Sequence, residues 1–360
     1  MTTLDSAFPN TRIAQAEFTG QSGEFFKIWI VNLLLSILTL GIYSAWAKVR
    51  TNQYLHGHTK LEDHGFRYLS TPLQILKGRL LAVSVFILIT VLSSFTPMLA
   101  LGMSLLILVA TPWLIMQSIR FNMRMTSYRN VRFSFKGNYW ETVLNFLLLP
   151  MLALFFTLGI ALPWVHQRID KYIFDNLSVG GQPFKLNTDV GQYYVAALVA
   201  IAIMMAGIIT IVIFAGIYGV MIAQAGEDSA EQLLTGTFMG LIVLLYLGLF
   251  ILNFVAIAVS RGIVLKHIIS TLKVEDVATF KTDMPLSGYI KLQLLNSLIL
   301  ILSLGLAYPV TKIRTRRFVA QHIQVELTEQ ADTLVNDVQG KDPAFGEEAA
   351  GFFDADLSFT

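Results

Sequence analysis

Four stretches without a single Asp, Glu, Lys or Arg, Leu80 to Leu92, Leu99 to Met116, Tyr193 to Ala223 and Phe238 to Val259, constrain this chain more than anything else in it. The longer ones reach the roughly 20 residues that a helix needs to cross about 30 Å of hydrocarbon. Composition agrees, since only 14% of residues are charged, against about a quarter in soluble domains. The first residues carry Asp5, Arg12, Glu17 and Glu24 ahead of any apolar run, which is not the pattern of a cleaved secretory signal. Cysteine is absent from the sequence, and with it disulfides, thiolate metal sites and cysteine nucleophiles.

A second feature is a repeat. The stretches TLGIYSAWAKVRTNQY (39–54), TLGIALPWVHQRIDKY (157–172) and SLGLAYPVTKIRTRRF (303–318) align on Gly41, Gly159 and Gly305. Counting from that glycine, the fifth residue is Trp46, Trp164 or Val310, the seventh Lys48, His166 or Lys312, the ninth Arg50, Arg168 or Arg314, and the thirteenth Tyr54, Tyr172 or Phe318. Asn32, Asn145 and Asn296 precede the glycines inside apolar segments, with extra length around Pro150 in the second copy. Agreement at this many positions marks an internal repeat, with copies at about 12–70, 130–187 and 274–328.

Basic residues set the expected topology. Lys and Arg number six from 48 to 79, none from 80 to 119, five from 120 to 136, none from 186 to 260, and five from 261 to 291. Under the positive-inside rule, helices at about 75–96, 98–119, 193–223 and 234–260 form two hairpins that turn outside near Ser94 and Asp228. Both chain ends and all basic loops are then cytoplasmic. Each repeated segment has basic residues at both ends, so it should be re-entrant or interfacial, with Gly41, Gly159 and Gly305 as hinges. Phe25 to Thr39 gives only about 22 Å of helix before the break. Seven ordinary spans are the alternative, because the second copy is long enough to cross.

Around the copies the pattern alternates as in strands: QAEFTG, VRFSF and VATFKT before, HTKLEDHGFRYL, NLSVGGQPFKL and HIQVELT after. Gly65 and Phe66 match Pro183 and Phe184, and Gly180-Gly181 marks a hairpin turn. The expected fold is therefore an α-helical polytopic membrane protein with three repeated short broken helices, four long transmembrane helices and a small cytoplasmic β layer. Residues 1–325 form one integral membrane domain and 326–360 an acidic tail. An F-x-G strand, an apolar helix with Asn, TLGIY-x-x-W-x-x-x-R, a Tyr and a G-F strand together resemble the YjgN-like family of bacterial inner-membrane proteins, whose function is not established. The resemblance covers nearly the whole chain and implies a bacterial inner membrane and no particular activity.

Trp46, Arg50 and Tyr54 share one helix face, as do Trp164, Arg168 and Tyr172, and Arg314 is the third arginine. An arginine framed by rings suits interfacial anchoring or a basic vestibule for an anionic solute or lipid head group. The three asparagines suit interhelical hydrogen bonding or a polar lining. His56, His58 and His64 alternate along a strand-like stretch, but the second copy has Phe174, Asn176 and Gln182 there, so no metal is expected. Small residues at Ala202 and Ala206, at Ala215, Gly219 and Ala223, and at Gly236 and Gly240 point to close helix packing. No paired intramembrane carboxylates, G-x-S-x-G, phosphate loop or H-E-x-x-H is present, so no catalytic residue, cofactor or nucleic-acid partner is expected. A transporter- or channel-like protein with a basic cytoplasmic vestibule is the first functional expectation. A lipid-binding or scaffolding membrane protein is the second, and an intramembrane enzyme the third. The tail holds nine Asp or Glu against one Lys and is expected to dock near Arg316 and Arg317 or on the 120–136 loop.

Overall fold

The structure, a computed structural model, describes residues 11–224 and 238–333. Its chain follows one order five times over: strand, helices, strand. β1 (Arg12–Phe18), α1 (Ser22–Leu38), α2 (Ser44–Gly57) and β2 (Thr59–Leu61) are followed by β3 (His64–Tyr68), α3 (Pro72–Ser93), α4 (Pro97–Arg124) and β4 (Thr126–Tyr128). The third unit is β5 (Val131–Phe135), α5 (Tyr139–Val143), a π-turn at Leu144–Leu148, α6 (Leu149–Thr157), α7 (Leu162–Asp175) and β6 (Leu177–Val179). The fourth is β7 (Gln182–Leu186), α8 (Val190–Gln224), α9 (Phe238–Thr271) and β8 (Leu272–Val274). The fifth is β9 (Ala278–Thr282), α10 (Leu286–Leu302), α11 (Tyr308–Gln321) and β10 (Ile323–Leu327).

The ten strands close into one barrel. Both strands of each unit pair with each other, as in Phe66↔Tyr128 and Phe133↔Val179, and tight turns join successive units. Glu62-Asp63, Arg129-Asn130 and Gly180-Gly181 each hold two successive positive φ angles, the backbone of a two-residue hairpin turn whose twist matches the strands. Pairing of Arg12 with Leu327 closes the ring. At this turn-bearing end Arg12 bonds both Glu62 and Asp332, and Arg129 lies 3.4 Å from Asp332 and 3.8 Å from Glu62.

Register gives Phe66, Phe133, Phe184 and Phe280 equivalent places, opposite Tyr128, Val179, Val274 and Val325. Ring centroids of Phe66 and Phe133 are 6.3 Å apart, and those of Phe133 and Phe184 6.2 Å. Their strands are two apart, about 9.5 Å, so the rings converge, which places them on the concave wall. Lys60, Lys185, Lys273 and Lys281 alternate with these positions and face outward.

The expected β layer is thus a closed barrel. It also contains β4 and β8, which follow α4 and α9 in the chain, so among the described residues the order strand, helices, strand occurs five times where the sequence shows three copies. Among the described residues, five helices are long and apolar enough to cross a membrane: α3, α4, Tyr139–Thr157, α8 and Leu245–Thr271 within α9. The added one is the outgoing arm of the second short hairpin. Its π-turn ends just before Pro150, whose missing N–H and ring disfavour the ordinary ladder, and this is where the extra length of that copy goes. The turn expected near Asp228 lies outside the described residues.

Two compact units are present. Of the described residues, one holds those up to Thr188, Ile269–Asp283 and those from Tyr308 to Thr333, and so contains the barrel with α1 to α7 and α11; the other comprises the described residues of Asp189–Ile268 and Met284–Ala307. Within the second unit α8 and α9 approach closely at Gly207, where a β-carbon would collide with Leu252, whereas Gly219 faces open space.

Candidate membrane-interface site

The three glycine breaks have one construction. Thr39 Oγ1 donates to Leu35 O (2.7 Å) and accepts from Tyr43 N (2.9 Å). Thr157 donates to Ala153 O and accepts from Ala161 N (3.0 Å), and Ser303 donates to Leu300 O (3.2 Å) and accepts from Ala307 N (3.0 Å). The next residue, Leu40, Leu158 or Leu304, has φ of 50°, 49° or 50°, and the glycine after it 91°, 88° or 87°. Each glycine N–H then bonds back to the outgoing helix, at Ser36 O, Ala153 O or Leu300 O. Backbone at the break is therefore satisfied from within, the condition for leaving water. What the tips present is apolar: Leu40, Leu158 and Leu304 are 95%, 89% and 92% exposed.

Every return arm, α2, α7 and α11, has 14 residues, about 21 Å of helix. Pro163 and Pro309 sit at the starts of α7 and α11, as expected. α2 leans across α3. Ala45 and Val49 share a core with Tyr68 and Ile75, and the Arg79 guanidinium donates to Ser44 Oγ. Ser44 is about 20 Å along α2 from the barrel and Arg79 only about 10 Å along α3, so the two helices are inclined to each other.

The arginines meet rings, though not always those the repeat suggested. Arg168 lies 5.7 Å from the centroid of Trp164. Arg50 instead lies 5.9 Å from Tyr43, whose ring stacks on Trp46 at 6.0 Å. In the third copy Lys312 takes the pairing, 5.7 Å from Tyr308, while Arg314 is half-buried on α11. Tyr54 turns to α1, its hydroxyl bonding Gln21 O and Glu24 Oε2 at 3.1 Å each; burial pushes this phenol up. Tyr172 is buried, 2.6 Å from Thr142 Oγ1 and 3.1 Å from Asn138 O, so it serves the core.

Between α1 and α2 runs a groove of about 530 Å³ lined by Lys27, Ile28, Val31, Arg50, Gln53 and Tyr54. Two cations, an amide and an aliphatic wall, with the Glu24 carboxylate held by Tyr54 at the edge, suit an anionic head group joined to an apolar chain. Lys27 stands fourteen residues before Gly41 as Lys291 does before Gly305, a signal in the repeat that could have found it, whereas Tyr43 has Ala161 and Ala307 as its counterparts and only the packing reveals it. Asn32 Nδ2 reaches Ala47 O at 3.5 Å and Asn145 Nδ2 bonds Glu141 O at 2.8 Å, each within its own hairpin; Asn296 is buried in the second unit. His56, His58 and His64 donate from Nδ1 to Asn52 O, Tyr54 O and Glu62 O. No His, Asp or Glu cluster able to hold a metal occurs among the described residues. In the described part of the acidic tail, Asp332 meets Arg129 of the 120–136 loop as well as Arg12.

Comparison with known proteins gives relatives of matching size. An inner membrane protein YjgN of Salmonella typhimurium (strain LT2) is 25% identical over 359 residues, covering 89% of this chain and 90% of that protein. An inner membrane protein YjgN of Escherichia coli (strain K12) is 35% identical over 131 residues, 35% of this chain and 33% of that one. No solved structure matches the chain. The family model for bacterial proteins of unknown function, DUF898, matches residues 14–352, and the chain belongs to that family.

Proposed function

We propose that this chain is a multi-pass protein of the bacterial inner membrane, with its barrel and basic loops on the cytoplasmic side, that binds anionic lipid where the short hairpins lie in the interface. The groove between α1 and α2 carries the reading. Lys27 and Arg50 line it, and the carboxylate at its edge, Glu24, is engaged by the Tyr54 hydroxyl, beside a hairpin whose tip exposes Leu40. Support for the location comes from the names of the relatives, the five long apolar helices and the basic loops. A transporter- or channel-like activity is the second reading, favoured by the three broken helices with their polar hinges.

Native mass spectrometry of the full chain, released from detergent with phosphatidylglycerol, tests the first reading. Lys27→Gln/Arg50→Gln should retain at least one anionic lipid fewer than the unaltered chain. Lys273→Gln, on the outer barrel wall, should retain the same number. Equal retention by all three would overturn lipid binding at this groove.

A further inference from the structure

We infer that Lys48 of α2 and Arg79 of α3, with Ser44 positioning the guanidinium, form a phosphate-binding seat separate from the α1–α2 groove. Arg79 Nη1 donates to Ser44 Oγ, and that hydroxyl donates in turn to Gly41 O at the hairpin tip. Ser44 and Lys48 are four residues apart, hence on one face of α2 and one turn from each other. The Arg79 guanidinium is thereby held within about a turn of the Lys48 ammonium. Both side chains are half-buried, and burial, with the charge of Arg79 second, pulls Lys48 below the ordinary lysine range.

Nothing in the neighbouring sequence neutralises this pair. Between Glu24 and Glu62, and again between Asp63 and Glu141, the chain contains no Asp or Glu, so the rest of α1 and all of α2, α3 and α4 are free of acids. Two like charges brought together away from bulk water disfavour each other, and an anion between them reverses the sign of the interaction. Phosphate suits the pair, because guanidinium offers parallel N–H donors to two of its oxygens and ammonium a point charge to a third. Lys48 and Arg50 are two residues apart, about 200° around the helix. The seat thus faces α3 while Arg50 faces α1, and either site can fail without the other. Arg79 lies about 10 Å along α3 from the barrel, near head-group depth if the barrel meets the membrane surface as proposed.

The phosphate could be that of a lipid or free in solution, and two arms separate these. In the first, full-length protein in nanodiscs containing 20% ~ phosphatidylglycerol, by mole, is released into the mass spectrometer. Lys48→Gln/Arg79→Gln should lose one bound lipid that Lys27→Gln/Arg50→Gln keeps. In the second, inorganic phosphate is titrated calorimetrically into detergent-solubilised protein. A lipid source is indicated by loss in the first arm alone, and a free-phosphate source by at least a tenfold weaker phosphate affinity of the Lys48→Gln/Arg79→Gln variant. Should that variant not fold by circular dichroism, Lys48→Gln alone takes its place. Unchanged lipid count and unchanged phosphate affinity in a folded variant overturn the seat, whatever the fate of the α1–α2 groove.

Discussion

Leu40, Leu158 and Leu304 hold a left-handed backbone that a β-carbon disfavours by about 1–2 kcal/mol, and each is followed by a glycine turned further into positive φ. Gly41 has open space around it, so a β-carbon there strains only the chain. Gly41→Ala should lower unfolding stability by about 1 kcal/mol, seen as a lower melting temperature in detergent. Gly57→Ala, also in open space but inside α2, should cause no loss; equal loss at both positions would remove the argument from backbone angle. A different residue-scale effect sits at the turn-bearing end of the barrel. The Arg12 guanidinium, hydrogen-bonded to Asp332, holds that carboxyl below its ordinary range. A depressed folded-state pKa contributes stability above the unfolded value, near 3.9, that is lost as pH falls through the folded one. Asp332→Asn should therefore melt lower than the unaltered chain at neutral pH, by the small amount typical of an exposed pair. The two melting curves should converge in acid below pH ~4, and a gap that widens there would contradict the assignment.

Among elements, the barrel wall rests on the converging rings. Phe133 lies between Phe66 and Phe184, and Phe133→Ala should cost about 3 kcal/mol, whereas Lys273→Ala on the outer wall should cost under about 0.5 kcal/mol, both by chemical unfolding of solubilised protein. Much of this was readable beforehand. The T-L-G and S-L-G breaks, the Gly180-Gly181 turn and the alternation in β1, β5 and β9 all carry local signals. The rest was silent for physical reasons. β4 and β8 have three residues each, too few to show a period of two, and Glu62-Asp63 and Arg129-Asn130 make a glycine-type turn without glycine. The α3–α4 connection, Ser94 to Thr96, has no glycine, so its kinship with the short breaks shows only in the strands on either side. At the site, the pairing of Arg50 with Tyr43 spans seven residues, two turns of helix, where the repeat pointed to four, and Tyr172 was drawn inside by Thr142.

At the scale of the molecule, the proposed orientation is open to direct labelling because the sequence contains no cysteine. In intact cells an impermeant maleimide should modify Ser94→Cys and leave Arg67→Cys unmodified until the membrane is broken; strong labelling at Arg67→Cys from outside would invert the arrangement. Closure of the barrel has a bearing on how the protein is made. β1 lies between β2 and β10, so one edge of it stays open until the ribosome has delivered the last strand, about 300 residues later. At about 20 residues per second, that is a wait of about 15 s, during which Arg12 to Phe18 offers an unpaired edge to any passing strand. Synthesis of this protein thus includes an interval of exposure set by translation speed, and nascent chains stalled before Ile323 should be more prone to cross-pairing and degradation than those released after Leu327.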